Sequence, residues 1–169
     1  WAELTIEITK GSDAALPIAV IPFSNKSPVS LPQDVSKIIA NNLQRSGDFD
    51  TLPTTKMLGL PQSFEQIHFR DWRMLGQSYI LLGSVRHLAD SNKVEITYHL
   101  VDIYSQKSVI SEKVKTGIKG LRKAAHYISD VVYEKMTGVR GVFSTKIAYI
   151  AMRDLSKNKR EYRLNVSDA

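Results

Sequence analysis

Apolar residues recur at steps of three and four through Ile118, Leu121, Ala125, Ile128, Val132 and Met136. Lys119, Arg122, Lys123, Asp130, Glu134 and Lys135 fall largely on the other faces of the same stretch. This spacing predicts an amphipathic helix over Gly117–Thr137, ended by Thr137-Gly138. A second helical stripe runs through Val35, Ile38, Ile39, Asn42 and Leu43. Ser30-Leu31-Pro32-Gln33 ahead of it has capping-box spacing, and Gly47 supplies its stop. Phe64–Leu75, which carries Phe69 and Trp72 and precedes Gly76, reads as a short, irregular helix.

Between these stripes the period changes to that of strands. Pro17–Phe23 is a continuous apolar run between prolines, the pattern of a buried central strand. Tyr79–Val85 is a second such run, in which Gly83 signals a bulge or a close backbone approach. Phe49–Pro53 suits a short strand. Lys93–Asp102 alternates, with Val94, Ile96, Tyr98 and Leu100 on one face and Glu95, Thr97 and His99 on the other. With Gln106–Lys115 as a weaker partner it predicts an antiparallel pair with one wet face. Thr145–Met152 and Glu161–Val166 flank the polar turn Arg153–Arg160 and form a hairpin. Its Ile147, Tyr149, Tyr162, Leu164 and Val166 need further strands to pack on. At the other end, Leu4, Ile6 and Ile8 share one face of Leu4–Ile8, and Lys10–Ala15 is a small-residue break. Read from these residues alone, this is an ordinary first strand rather than an extended arm. The fold class is α/β (α+β), a mixed, partly antiparallel sheet covered by helices near Leu31–Ser46 and Gly117–Thr137.

Composition narrows the chemistry more than it selects a partner. Of 169 residues, 43% are apolar and 24% charged, enough for a sizeable core. A net charge of +6 suits nucleic acid, anionic lipid or an acidic protein equally. The absence of cysteine excludes disulfides, thiolate zinc sites and cysteine nucleophiles. No run of 18 apolar residues is available to span a membrane. His68, His87, His99 and His126 show no metal-ligand spacing. There is no nucleophile elbow, Walker loop or dinucleotide fingerprint, and no paired carboxylates can be picked out for acid–base work. An enzyme, a metal and a cofactor are therefore not expected.

One loop does suggest a ligand. Gly117-Ile118-Lys119-Gly120, with Arg122 and Lys123, could hold a phosphate or clamp a single-stranded RNA backbone. A turn feeding the helix is the better reading; a basic single-stranded nucleic-acid module using Gly117–Lys123 is the alternative function. The basic run Arg153–Arg163 has five Lys/Arg against two acids and reads as a solvated hairpin tip.

Met136–Ile150 (MTGVRGVFSTKIAYI) resembles the junction segment of the TolB family, periplasmic components of bacterial Tol–Pal envelope systems. Pro17–Phe23, Leu31–Phe49, Leu75–Val85, Ile96–Asp102, Leu121–Gly138 and Glu161–Ala169 are similar to successive segments of the same family, in order. The resemblance implies an amino-terminal α/β domain over 16–138, a hinge over 139–144, and the first strands of an incomplete β-propeller over 145–169. It implies a non-enzymatic adaptor that links TolA to Pal for outer-membrane integrity and envelope constriction at cell division. Pal would be met mainly by the propeller, and colicins and outer-membrane porins are further implied partners. Nucleic acid is not among them. The implied place is the periplasm, with outer-membrane association through Pal.

The resemblance also reweighs the amino terminus. The implied TolA-binding arm, within 1–15, comprises Glu3, Leu4, Thr5, Ile6, Glu7, Ile8, Thr9, Lys10, Gly11, Ser12 and Asp13. Trp1-Ala2 would be a signal-peptide tail or an added remnant. The implied hinge residues are Thr137, Gly138, Arg140, Gly141 and Ser144.

Overall fold

The computed structural model describes residues 15–27, 30–89, 92–156 and 159–168. Strand β1 (Leu16–Val20) is an inner strand of the main sheet. It pairs in parallel with β3 (Phe49–Thr51) on one side and with β4 (Tyr79–His87) on the other. A two-residue strand, β2 (Ser24–Asn25), continues the parallel pairing along β4. Strands β5 (Lys93–Asp102) and β6 (Lys107–Gly117) then extend the sheet antiparallel, in the order β3-β1-β4-β5-β6. The expected mixed, partly antiparallel sheet is present.

Helices α1 (Val35–Ser46) and α3 (Leu121–Thr137) cover one face of this sheet. Their stripes Val35, Ile39 and Leu43, and Leu121, Ala125, Ile128 and Val132, meet Ile18, Leu81, Ile96 and Leu100. The short α2 (Phe69–Met74) places Trp72 under the other face, against Ala19, Ile21, Ile80 and Leu82. β1 and β4 are thus buried on both sides, which is why they read as unbroken apolar runs. Glu95, Thr97 and His99 of β5 face away from the helices, on the half of the second face that α2 leaves open.

Several boundaries depart from the sequence reading. Helix α1 starts at Val35, and Asp34 caps it by accepting the N–H of Lys37 at 3.1 Å, so Ser30 is not the cap. Gly83 marks a close approach rather than a bulge: the β4–β5 register is continuous, and the Phe23 ring fills the space of a Cβ. The bulge lies in β6, at Val109, between the pairs Leu100–Ile110 and Val101–Ser108. Ile118–Gly120 is a 3-10 turn leading into α3. Strands β7 (Lys146–Ser156) and β8 (Lys159–Asp168) run through most of the expected polar turn. Cross-strand pairing stabilised these positions where composition alone suggested a loop.

The hairpin also divides its apolar residues between two faces. Ala148, Ile150 and Met152 stand opposite Val166, Leu164 and Tyr162 on one. Ile147 and Tyr149 lie on the other, opposite Ser167 and Asn165, so the five residues named from the sequence are not one set.

Candidate functional sites at the two ends of the domain

The arm Glu3–Asp13 lies outside the described residues. Its point of attachment is described. Leu16 opens β1, pairs with Phe49, and donates its N–H to the Asp48 carbonyl at 2.8 Å. Whatever precedes residue 15 therefore joins the domain at an inner strand, next to the short edge strand β3.

The expected hinge residues are held at both ends. Gly138 adopts the left-handed conformation, φ 73°, and its N–H closes α3 on the Glu134 carbonyl at 2.8 Å. Thr137 Oγ1 donates to the Tyr133 carbonyl and accepts the Val139 N–H at 3.2 Å. Arg140 is exposed, whereas Gly141 is buried against α3. A Cβ on Gly141 would sit 2.6 Å from Asp130 Cα, so only glycine allows the backbones this contact. The Asp130 carboxylate then accepts the N–H of Phe143 at 2.7 Å and of Ser144 at 3.1 Å. The Phe143 ring enters the main core and meets Tyr133 edge-on, with centroids 5.6 Å apart. Tyr133 also packs on Phe49 and donates its hydroxyl to Asp48 at 2.6 Å. That bond, and secondarily burial, raise the Tyr133 pKa above the usual phenol value.

Asp130, Tyr133, Phe143 and Asp48 were not singled out by the sequence. Asp130 reads there as a solvent-facing helix residue. The available signal was Phe143, a lone aromatic set between small and polar residues past a helix stop, which needed something to bury it.

Elsewhere the polar groups are arranged for structure. Asn42 of α1 donates to Ser129 Oγ and contacts His126 Nδ1, both at 2.9 Å, across the buried α1–α3 interface. No group of three or more metal-ligating side chains occurs among the described residues. The open half of the sheet carries a groove of about 590 Å3, with Ser84, Arg86, Glu95, Thr97, His99 and Lys113 in its lining. Arg86 donates to Glu95 at 2.9 Å, and this bond holds the carboxyl below its usual pKa. Tyr98, on the helix side, is raised by burial and by its hydrogen bond to Glu112. Gly117–Lys123, the alternative phosphate loop, forms the end of β6, the 3-10 turn and the first residues of α3. No described helix is long and apolar enough to cross a membrane.

Comparison with known proteins joins these pieces. The TolB amino-terminal domain family matches residues 4–109. The chain is 46% identical over 168 residues to the Tol-Pal system protein TolB of Hahella chejuensis, covering 99% of this chain and 39% of that one. It is 40% identical over 169 residues to the Marinomonas protein of the same name, covering the same shares. It thus spans about two fifths of the length of these relatives, whose names denote a system component and no enzymatic activity. TolB from Acinetobacter baumannii superposes with a TM-score of 0.76 at 29% identity, over 92% of this chain and 36% of that one. The fold alone is shared with the LpoB C-terminal domain of Salmonella enterica, at a TM-score of 0.50 and 18% identity. On the match of the amino-terminal domain and the fold that carries it, the chain belongs to the TolB family of Tol–Pal system proteins.

Proposed function

We propose that this chain is the partner-capturing end of a non-enzymatic periplasmic adaptor in the Tol–Pal system. In this reading the α/β domain, 16–138, presents the arm Glu3–Asp13 to TolA. Residues 139–144 join it to a β-propeller that begins at 145 and makes most of the contact with Pal. The link serves outer-membrane integrity and envelope constriction at division, and colicins and porins engage the same system. Outer-membrane association comes through Pal.

The observation that carries the proposal is the agreement along 99% of the chain with proteins named for this system. The arm's period-2 pattern adds a mechanism. Leu4, Ile6 and Ile8 on one face, with Thr5 and Glu7 outward, suit addition of a strand to the edge of a partner's sheet. Such capture needs no catalytic residue. Deleting Glu3–Lys10 and titrating TolA by calorimetry tests it: loss of measurable binding is expected, and unchanged affinity sinks the proposal.

A further inference from the structure

The junction has a construction that its expected role as a hinge does not require. Asp130 projects from the middle of α3, yet both backbone N–H groups it accepts belong to residues 13 and 14 positions later. A carboxylate that takes two backbone donors makes charge-assisted bonds, the strong kind. Gly141 fits against the same residue's backbone, and Phe143 is anchored in the core beside it. After Ser144 this anchoring stops. Among the described residues Thr145 bonds within its own turn, to the Val142 carbonyl, and β7 begins at Lys146 with an exposed side chain. The anchored segment also leads back to the start of the domain. Phe143 contacts Tyr133, Tyr133 bonds Asp48, and the Asp48 carbonyl receives the Leu16 N–H.

We propose that Asp130 is the positioning residue of the junction. It makes 141–144 a fixed bracket on α3, moves the pivot to Thr145–Lys146, and through Tyr133 and Asp48 ties the chain's exit from the domain to the root of β1. This rests on reading 137–144 as a junction, but differs from it in where motion starts. The path from the bracket to Leu16 runs through two side chains and one carbonyl.

Two measurements on this chain test the inference. In hydrogen exchange, the Phe143 and Ser144 amides should be protected like α3 itself. Asp130→Ala should speed them by about tenfold or more, the effect of losing one charge-assisted bond. Leu16 should speed in the same variant and in Tyr133→Phe. Asp130→Asn, which keeps one acceptor oxygen, should fall between and serves if the alanine variant does not fold. Fast exchange of Phe143 and Ser144 in the wild type, or no change in either Asp130 variant, overturns the bracket. A change confined to 143–144, with Leu16 unmoved in both Asp130→Ala and Tyr133→Phe, overturns the tie to β1.

The absence of cysteine allows clean spin-label pairs for distance measurement by electron resonance. A Lys37–Val142 pair, both exposed, should give a narrow distribution that broadens in Asp130→Ala, and a broad wild-type distribution refutes the bracket. A Lys37–Arg163 pair should be broad. If it is as narrow as the first, no pivot follows the bracket and the junction reading fails by itself.

Discussion

The α/β domain and the hairpin β7–β8 are built from similar residues and treated in opposite ways. In the domain, Ile39, Ile96 and Ile128 are 0% exposed, and β1 and the first half of β4 are covered on both faces. In the hairpin, Ile150 is 68% and Leu164 70% exposed, although each is paired to the other across the strands. Long antiparallel ladders run through both regions, so backbone hydrogen bonding does not separate them. What separates them is cover. A two-stranded ribbon has two faces and no third element to hide either, and the stabilisation from apolar burial is missing there.

The contrast can be broken by removing side chains from each region and comparing the costs. Ile128→Ala, at the centre of α3 and against the sheet, should destabilise the chain by about 2–5 kcal/mol in urea unfolding. Next comes Asn42→Ala, which removes the amide that contacts Ser129 and His126 across the buried α1–α3 interface. A loss of about 1–3 kcal/mol is expected, with the helix signal keeping its shape. A smaller effect, visible as a change in pH dependence, should follow Glu95→Gln. The folded-state pKa of Glu95 is lowered, chiefly by the Arg86 hydrogen bond. Its contribution is present above the ordinary carboxyl pKa and is lost as pH falls through the lower folded value. Thermal melts of wild type and variant should therefore differ at neutral pH and converge in acid. Smallest of all, Leu164→Ala should change stability by no more than about 0.5 kcal/mol, since its side chain is already in water. A cost for Leu164 near that for Ile128 would mean that the hairpin is covered in solution, and the contrast would dissolve.

Periodicity carried most of the fold because most elements here are amphipathic in a simple way. The stripe on α3, the alternation on β5 and the double-buried runs of β1 and β4 each follow from one environment per face. The sequence reading fails where a competing local partner or a long-range one decides. Ser30 and Gln33 satisfy a local capping rule, but Asp34 stands where the chain enters the helix and takes the bond. Arg153–Arg160 looks like a turn until β8 supplies cross-strand partners for both sides. Past α3, the helix end was legible and the way the following segment is held was not. Thr137-Gly138 announces a helix end, whereas the bonds from Phe143 and Ser144 to Asp130 depend on the chain folding back along α3. Asp130 carries no local mark of that. The arm rests on its alternating pattern and on family likeness, and its root at Leu16 is what the fold adds.

The outer edge of β6 has a consequence for life in a concentrated solution. Eleven residues long, this terminal strand is the kind of edge on which another copy could stack and start a fibre. Lys107, Lys113 and Lys115 put positive charge along it, and the extra residue at Val109 breaks the straight ladder a second strand would have to match. The bulge that disturbs β6 thus works against self-stacking along the one long outer edge of the main sheet, the other edge being the three-residue β3.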